Sequence, residues 1–401
     1  MRAEAVTASP AAPARGAGDL LRLLRSEEGL TRNELIELTG LSRSTLGARL
    51  EALASVGLVA SSGVGASTGG RPATRLSFSP TAYVVLAADF GATHVNLALT
   101  DLACRVIAET SCELHIADGP EPALNWLVTA AERLMSESVS TNAQLAGIGI
   151  GLPGPVEHTT GVPIKPPIMP GWDGFPVATW VGERLGAPVY VDNDVNMMAL
   201  GEHAGVYPDV DHFVFVKVAT GIGAGLISSR RLHRGAVGSA GDLGHVRAPH
   251  APDVVCECGN TGCLEAVASG RAIAAELFAD QPRDTIGTRE VLALLEHGDA
   301  RATAAVRRAG RDIGEVLATV VNLLNPSVIV IGGSLGAGAP TLMAGIREVV
   351  FARSLPLATS RLILVPSQVG AQAAIAGAAV TVVEEFLQPQ AVDARLAAQM
   401  A

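Results

Sequence analysis

The sequence predicts an α/β protein in two parts, a small helical head with a two-stranded wing and a larger body in which strands and helices alternate. Three observations carry this expectation. Apolar residues between Leu20 and Val56 recur at three- and four-residue spacing, the period of helices that bury one face. From Thr81 the pattern changes to that of strands, beginning with residues 83–89. A Gly-tipped hairpin at Gly91 returns at Gly221, an offset of about 130 residues that hints at internal duplication.

The 401 residues, 48% hydrophobic and 17% charged, are enough for about two or three domains and exclude disorder of the whole chain. The best candidate for a membrane span, residues 314–333, contains Glu315, Asn322, Asn325 and Pro326, so no span and no membrane partner is expected. Residues 1–18 carry Arg2, Glu4 and Arg15 among small residues, lack the apolar centre of a secretory signal, and read as a flexible tail. Five cysteines, three of them clustered, suggest a reduced, cytoplasmic compartment and a metal site rather than a disulfide framework. Residues 1–80 hold nine Arg against seven acids, while the remainder holds 20 basic against 32 acidic side chains. Any nucleic-acid contact is therefore local and belongs to the first segment.

In that segment, residues 19–26 set Leu20, Leu21, Leu23 and Leu24 on roughly one helical face. Thr31-Arg32-Asn33-Glu34 ahead of Leu35, Ile36 and Leu38 is a capping-box start. Thr39-Gly40-Leu41 breaks the chain, and Ser42 can cap a third helix carrying Leu46, Leu50, Leu53 and Val56. This is helix-turn-helix spacing. Ser42, Arg43, Ser44 and Thr45 occupy the start of the third helix and Arg49 lies one turn on, side chains able to reach base edges and phosphates in a major groove of double-stranded DNA. A three-helix protein-interaction module has the same spacing. The wing favours DNA, because residues 58–60 and 73–78 can pair around a Gly/Ser loop whose Gly69-Gly70-Arg71-Pro72 tip would carry Arg71 into a minor groove. The DNA-binding domain is thus expected over residues 19–79.

In the body, residues 83–89 end in Asp89-Phe90-Gly91-Ala92-Thr93, followed by strands over 94–100 and 104–109. The second unit is a strand over 212–218, a Gly-rich turn over 219–225, and a strand over 226–228. Glycines at hairpin tips let backbone N–H groups approach phosphate oxygens, and Thr93 and Thr220 add hydroxyls. Asp89, Gly91, Thr93, Thr220, Gly221 and Gly223 are therefore candidates for a nucleotide cleft between facing hairpins, ordinary turns being the alternative for either one alone. Residues 122–138 and 301–324 read as helices, and 147–151, 189–191 and 328–331 as buried strands. The last runs into Gly332-Gly333-Ser334, which could lie against an adenosine or simply close the strand. Residues 371–387 read as a helix on the core followed by a frayed end, and Cys104 and Cys112 as ordinary strand residues.

Two constellations carry chemistry. His245, Cys256, Cys258 and Cys263 are the donor set of a tetrahedral Zn²⁺ site, with Gly259 and Gly262 permitting the tight turn between ligands. All four positions would be filled by protein, so the ion orders the loop rather than activating water. Asp192-Asn193-Asp194-Val195-Asn196 ends a strand and enters a helix over 197–203, where Asp194 could accept a proton from a sugar hydroxyl and Asn193 could orient its neighbour. A helix cap would explain any one of these residues, but not four polar groups in so short a run. The turns Gly151-Leu152-Pro153-Gly154-Pro155 and Pro170-Gly171-Trp172 could wall the same pocket or merely turn the chain.

Taken in order, residues 89–93, 151–155, 192–196, 220–225, 241–245 and 256–265 resemble the ROK family of repressors, open reading frames and sugar kinases, from about Thr81 to the C-terminal end. The His/Cys3 loop is the most specific element. The added winged helix-turn-helix resembles the repressor branch, which controls sugar-utilisation genes. The resemblance implies an actin-like, ribonuclease-H-type body of two lobes over residues 80–401, with its zinc loop at 245–263, assembled as a homodimer or tetramer. It also implies that Asn193, Asp194, His245 and Glu265 bind sugar hydroxyls, with Gly154 in the pocket wall and Asp194 the catalytic base in the kinases. Nucleotide contacts would extend to Gly332 and Gly333. Asp242 stands where the family has a sugar-binding Glu, one methylene longer. Ala92 stands where kinases have Gly, adding a Cβ where a phosphate should approach. The expected function is a sugar-responsive DNA-binding regulator, a repressor of carbohydrate-utilisation genes with a small sugar or sugar phosphate in the cleft. The alternative is a hexose or amino-sugar kinase, dependent on ATP and Mg²⁺, with a fused DNA-binding domain.

Overall fold

The computed structural model describes residues 16–26, 29–64, 74–138, 143–249, 251, 253–281 and 286–400. In the head, helix α1 (Ala17–Ser26) buries Leu20, Leu21 and Leu24, and strand β1 (Leu30–Thr31) leads into α2 (Arg32–Thr39). The capping box forms as expected: the Thr31 hydroxyl accepts the Glu34 N–H at 3.3 Å and the Glu34 carboxylate accepts the Thr31 N–H at 2.7 Å. Gly40, at φ 69°, ends α2 in the left-handed region that a side chain would strain. Helix α3 (Arg43–Ser55) starts at Ser42, whose hydroxyl accepts the Thr45 N–H at 3.1 Å. Strands β2 (Val59–Val64) and β3 (Thr74–Phe78) form the antiparallel wing, and β1 pairs with the other edge of β3. Leu35, Leu46, Leu50, Leu53 and Leu58 close the core with the α1 leucines, each contributing about 1.5–3 kcal/mol by burial. Ala17 and Gly18, expected in the tail, form the first turn of α1, where the Gly18 N–H donates to Asp393 at 2.9 Å. The wing-tip Arg71 lies outside the described residues, as do residues 1–15 of the tail.

The body contains two sheets of the same plan. In the first, β4 (Tyr83–Phe90), β5 (His94–Asp101) and β6 (Val106–Glu113) run antiparallel. On the free side of β4, β7 (Gln144–Leu152) adds in parallel. Past a short pair, β8 (Val156–Glu157) and β9 (Val162–Pro163), the sheet is completed by β10 (Val189–Asn193), parallel to β7. In the second, β11 (His212–Val218), β12 (Ile222–Ser228) and β13 (Arg231–Leu232) make the meander, and β14 (Val328–Gly332) and β15 (Ile363–Pro366) add in parallel beside β11. The orders β10-β7-β4-β5-β6 and β15-β14-β11-β12-β13 match strand for strand, the duplication hinted at by the paired glycine turns.

Two expectations change here. Cys104 sits in the turn before β6 at φ 58°, not in a strand, whereas Cys112 is on β6. The second glycine turn is shorter than its composition suggests, because β12 already begins at Ile222. Its glycines are needed for packing: a Cβ on Gly225 would lie 2.4 Å from the Ala199 methyl.

Helices α4 (Pro120–Ser138) and α5 (Val177–Leu185) share a buried cluster with one face of the first sheet. The next helix, α6 (Asp194–Val206), packs on β7 as well as on β11 and β12, and so joins the two halves. Helices α7 (Leu264–Ala268), α8 (Gly270–Leu277), α9 (Thr288–Glu296), α10 (Ala300–Leu324), α11 (Gly333–Gly338), α12 (Pro340–Arg353) and α13 (Pro356–Thr359) belong to the second half. Most cover the sheet face bearing Val214, Val216, Ile329 and Ile331. The chain then returns through α14 (Ala373–Phe386), which packs on α6, β4 and β7. The expected frayed end is instead a last helix, α15 (Pro389–Met400). Val392 and Leu396, one turn apart, form an apolar stripe that α1 covers, so the core of the head is continuous with that of the body. Among the described residues no single helix is long and apolar enough to cross a membrane.

Candidate ligand cleft and metal loop

The first cluster is built where β10 ends and α6 begins. Asp192 is buried, and its carboxylate accepts the Asn193 N–H and the Asn196 amide, both at 2.7 Å, and the Arg234 Nε at 2.6 Å. Asn193 caps α6, accepting the Val195 N–H at 2.9 Å, while its amide donates to the Gly154 carbonyl at 3.0 Å. The cap and the orienting role are therefore one arrangement, and it draws Gly154 to the strand end; of the expected turn, Gly151 and Leu152 are instead the last residues of β7. Trp172, by contrast, is a fully buried core residue whose indole N–H donates to the Ile116 carbonyl at 3.0 Å, so its turn is anchored in the core.

Asp194, with 4% of its side chain exposed, is paired with the ammonium of Lys217, which reaches across from β11 in the other half. Asp89, at the end of β4, is within electrostatic range of the same ammonium. Burial pushes the Asp89 carboxyl above its ordinary range and the Asp194 charge adds to this, while Lys217 and His94 oppose it. Burial alone would lower Lys217, yet Asp194 first, then Asp89 and Glu265, hold its ammonium above the usual range. Glu265 stands in the first turn of α7, its carboxylate accepting the Ile222 N–H at 2.9 Å and lying 3.9 Å from Arg271. It thereby holds the tip of the second hairpin.

The candidate metal loop precedes it directly, since Cys263 is the N-cap of α7. The Cys258 and Cys263 sulfurs are 3.7 Å apart, Cys256 Sγ is 3.6 Å from His245 Nδ1, and the four ligand atoms all lie within 4.8 Å of one another. Tetrahedral coordination with metal–sulfur bonds of about 2.3 Å and metal–nitrogen bonds of about 2.0–2.1 Å requires edges of roughly 3.8 and 3.6 Å. Two edges already have those lengths, so the residues fit a thiophilic divalent ion. The loop is framed by bridges Arg247 to Cys263 and Val255 to Thr261, with Gly259 and Gly262 at φ 90° and 70°. Burial pushes the Cys263 thiol up to about 12 and raises Cys256, so an ion entering here displaces thiol protons. His245 ends a short turn, its Nε2 lying 3.9 Å from the Asp242 carboxylate on the side away from the thiols.

The glycine turns suit a nucleotide less well. The Gly91 N–H is taken by the His94 carbonyl at 2.8 Å, and a Cβ at Gly91 would lie 2.2 Å from the His94 imidazole, which covers this turn. The Ala92 and Thr93 carbonyls accept from Ile116 and Leu114. A Cβ at Gly221 would come 2.5 Å from the Glu265 carboxylate. Gly223 makes room for Val195 and Gly332 for the Phe215 ring, so these two are explained by packing, while Gly333, at φ 80°, packs on the Val218 carbonyl. Thr220 belongs to the turn between β11 and β12. On the head, Ser42, Arg43, Ser44 and Thr45 are exposed and Arg49 is half-buried, and the Ser42 hydroxyl lies 2.9 Å from that of Ser44 and 2.8 Å from that of Thr45.

Sequence reasoning missed Lys217 and Arg234. Arg234 gives no signal in a loop of mixed composition. Lys217 does give one: it is the charge in the otherwise apolar run Phe213-Val214-Phe215-Val216-Lys217-Val218.

With this geometry in place, the likenesses to known proteins are informative. The ROK family model matches residues 85–385, and a model of winged helix-turn-helix DNA-binding domains matches residues 18–60. The putative xylose repressor of Caldicellulosiruptor sp. (strain Rt8B.4) is 29% identical over 381 residues, covering 92% of this chain and 95% of that protein. A solved ROK family transcriptional regulator, described as a homologue of the E. coli MLC protein, superposes with a TM-score of 0.79 at 28% identity, covering 95% of this chain and 98% of that one. The ROK hexokinase from Thermus thermophilus superposes with a TM-score of 0.62 at 32% identity, covering 76% of this chain and 99% of its own. The family thus holds regulators and kinases on one two-lobed, actin-like fold, and fold alone does not choose between them. With its winged helix-turn-helix and a regulator-like alignment along nearly the whole chain, this protein belongs to the ROK family, in its transcriptional-regulator branch.

Proposed function

We propose that this chain is a sugar-responsive transcriptional repressor of carbohydrate-utilisation genes that works in the cytoplasm. Its head, residues 19–79 together with the first turn of α1, reads double-stranded operator DNA. Its body, residues 80–401, holds a small sugar or sugar phosphate. The observation that carries this reading is the exposed first turn of α3 on a head whose core continues into the body through α1 and α15. Arg43, Ser44, Thr45 and Ser42 contact bases and phosphates there, with Arg49 one turn on and Arg71 at the wing tip. In the body, Asn193, Asp194, Asp242, His245 and Glu265 bind sugar hydroxyls beside Gly154. A structural Zn²⁺ held by His245, Cys256, Cys258 and Cys263 fixes the start of α7 and with it Glu265. Sugar binding alters the closure of the two lobes, and α14 with α15 carries that change to α1. A homodimer or tetramer then loses the spacing of its recognition helices, which requires different sugar affinities in the two states.

A sugar kinase with Asp194 as base is the second reading, supported by the intact Asp194 and by the kinase relative. It is opposed by Ala92, by His94 over Gly91 and by Lys217 on Asp194.

The test is capture of genomic fragments by the full chain at physiological salt, repeated with hexoses, pentoses and amino sugars. A two-fold operator beside sugar transport or catabolic genes, released by one sugar, is the expected result, and Arg43→Ala should weaken it by about 1–3 kcal/mol. No enrichment over non-specific background, together with phosphate appearing on a sugar in the presence of ATP, would replace the regulator with the kinase.

A further inference from the structure

Lys217 stands alone on its row of the second sheet beside β12 and β14, because both its cross-strand partners, Gly223 on β12 and Gly332 on β14, lack side chains. Its side chain, 24% exposed, runs on the face shared with Phe213 and Phe215 to the start of α6. There the ammonium pairs with Asp194, whose side chain is 4% exposed; Asp89, whose side chain is 13% exposed, lies on β4 opposite Gly151, where an added Cβ would meet the Asp194 Cα at 3.4 Å. Glu265 is the third carboxylate in reach, and the groups beside these acids are His94, 4.0 Å from Asp89, Asn96, 3.5 Å from Asp89, and Arg271, 3.9 Å from Glu265. Phosphoryl transfer from a nucleotide needs a divalent ion between carboxylates and phosphate, and a base with a free lone pair. Here a tethered monovalent cation from the second sheet is set against carboxylates of the first half, Asp194 at the start of α6 and Asp89 at the end of β4. Two buried acids facing one another need a positive partner, and the chain supplies it from its own strand.

We propose that Lys217 is the resident counter-cation of the cleft, occupying the place between Asp89 and Asp194 that a divalent ion would need, so that the site takes its ligand without metal or nucleotide. This rests on the regulator reading above. Asp194 is then an acceptor for a hydroxyl rather than a base, and the ammonium offers its remaining protons to the same ligand.

The experiment uses the full chain loaded with zinc, titrated with Mn²⁺ while bound ion is counted by electron paramagnetic resonance and melting is followed by circular dichroism. The wild type should bind no Mn²⁺ in the cleft and melt at the same temperature with or without it. Lys217→Thr should melt lower, bind one Mn²⁺ per chain where the wild type binds none, and recover melting temperature as the ion binds. The added substitution Asp89→Asn should remove that ion, and Lys217→Arg should behave as the wild type. A wild-type chain that binds one Mn²⁺ lost on Asp89→Asn overturns the proposal, as does a folded Lys217→Thr that binds none. The wild-type titration decides even where Lys217→Thr fails to fold. Either contrary result leaves operator capture and its release by sugar standing, so failure of this inference is distinguishable from failure of the regulator reading.

Discussion

Replacing Asp192 by Ala tests the idea that the corner between β10 and α6 is held by one buried carboxylate. The side chain is 3% exposed and accepts three hydrogen bonds, at 2.7, 2.7 and 2.6 Å, the last from a guanidinium that is itself 27% exposed. Truncation removes a charge-assisted bond, about 1.5–3 kcal/mol, and strands the Asn193 N–H and the Asn196 amide, about 1–3 kcal/mol for a buried group. Asn196 has no slack, because its Oδ1 is already buried without a hydrogen-bond partner. Asn193 is only part-buried, so the loss should fall toward the low end of these contributions, near the ~3–5 kcal/mol expected when one member of a buried pair is removed and a large share of the ~5–15 kcal/mol of a folded domain. Trp126, Trp172 and Trp180 all lie in the first half of the body, so urea unfolding followed by tryptophan fluorescence reads the unit that contains Asp192. Arg234→Met should cost less, since Asp192 keeps two donors, and the double variant should reveal a coupling of about 1.5–3 kcal/mol. A loss below about 1 kcal/mol for Asp192→Ala, or single effects that add within about 0.5 kcal/mol, would refute the hub.

Other outcomes follow from the same geometry. Cys258→Ser should lower bound zinc from one ion per chain, measured by atomic absorption, and make the loop between Arg247 and Cys263 sensitive to protease; a wild type purified without metal chelators that carries no zinc would rule out the metal reading. Val392→Asp places a charge in the fully buried contact of α15 with α1 and should cost several kcal/mol there, read as loss of amide-exchange protection in α1; unchanged protection would separate the head from the body. Asp89 gives a pH dependence of known sign. Its folded pKa is raised by burial and by Asp194, so the folded state binds more protons than the unfolded chain above about pH 4, and its contribution to stability is whole below that point and declines as pH rises. Asp89→Asn should therefore melt progressively higher relative to the wild type as pH rises from about 4 toward neutrality, and a difference independent of pH would contradict the assignment.

How much of this was legible in sequence depends on distance along the chain. The capping box of Thr31 and Glu34, the Ser42 cap, the strand hairpins and the His245/Cys3 spacing are set by groups that stand close along the chain, where backbone geometry and ligand chemistry leave few alternatives. The matching Gly91 and Gly221 turns foretold a duplication that the two sheets repeat strand for strand. Sequence went wrong where composition imitates something else. The glycines after Ile222 look like a turn and are a strand thinned for α6, and the alanine-rich end looks frayed although Val392 and Leu396 have a stripe to bury against α1.

What remained hidden is the pairing of polar groups across the fold. Lys217 and Asp194 are 23 residues apart, Asp192 and Arg234 42, Glu265 and Ile222 43, and Gly18 and Asp393 375. A lysine or arginine has the same local propensity whether it ends in water or on a buried carboxylate. Sheet register and the path of α6 between the two halves decide which, because only they set how deep the charge lies and what stands opposite it. The sequence by itself thus determined the parts of this protein, its winged helix-turn-helix head, its α/β body and the His/Cys3 set that could hold a metal; only the tertiary structure decided that Lys217 pairs with Asp194 across the two halves.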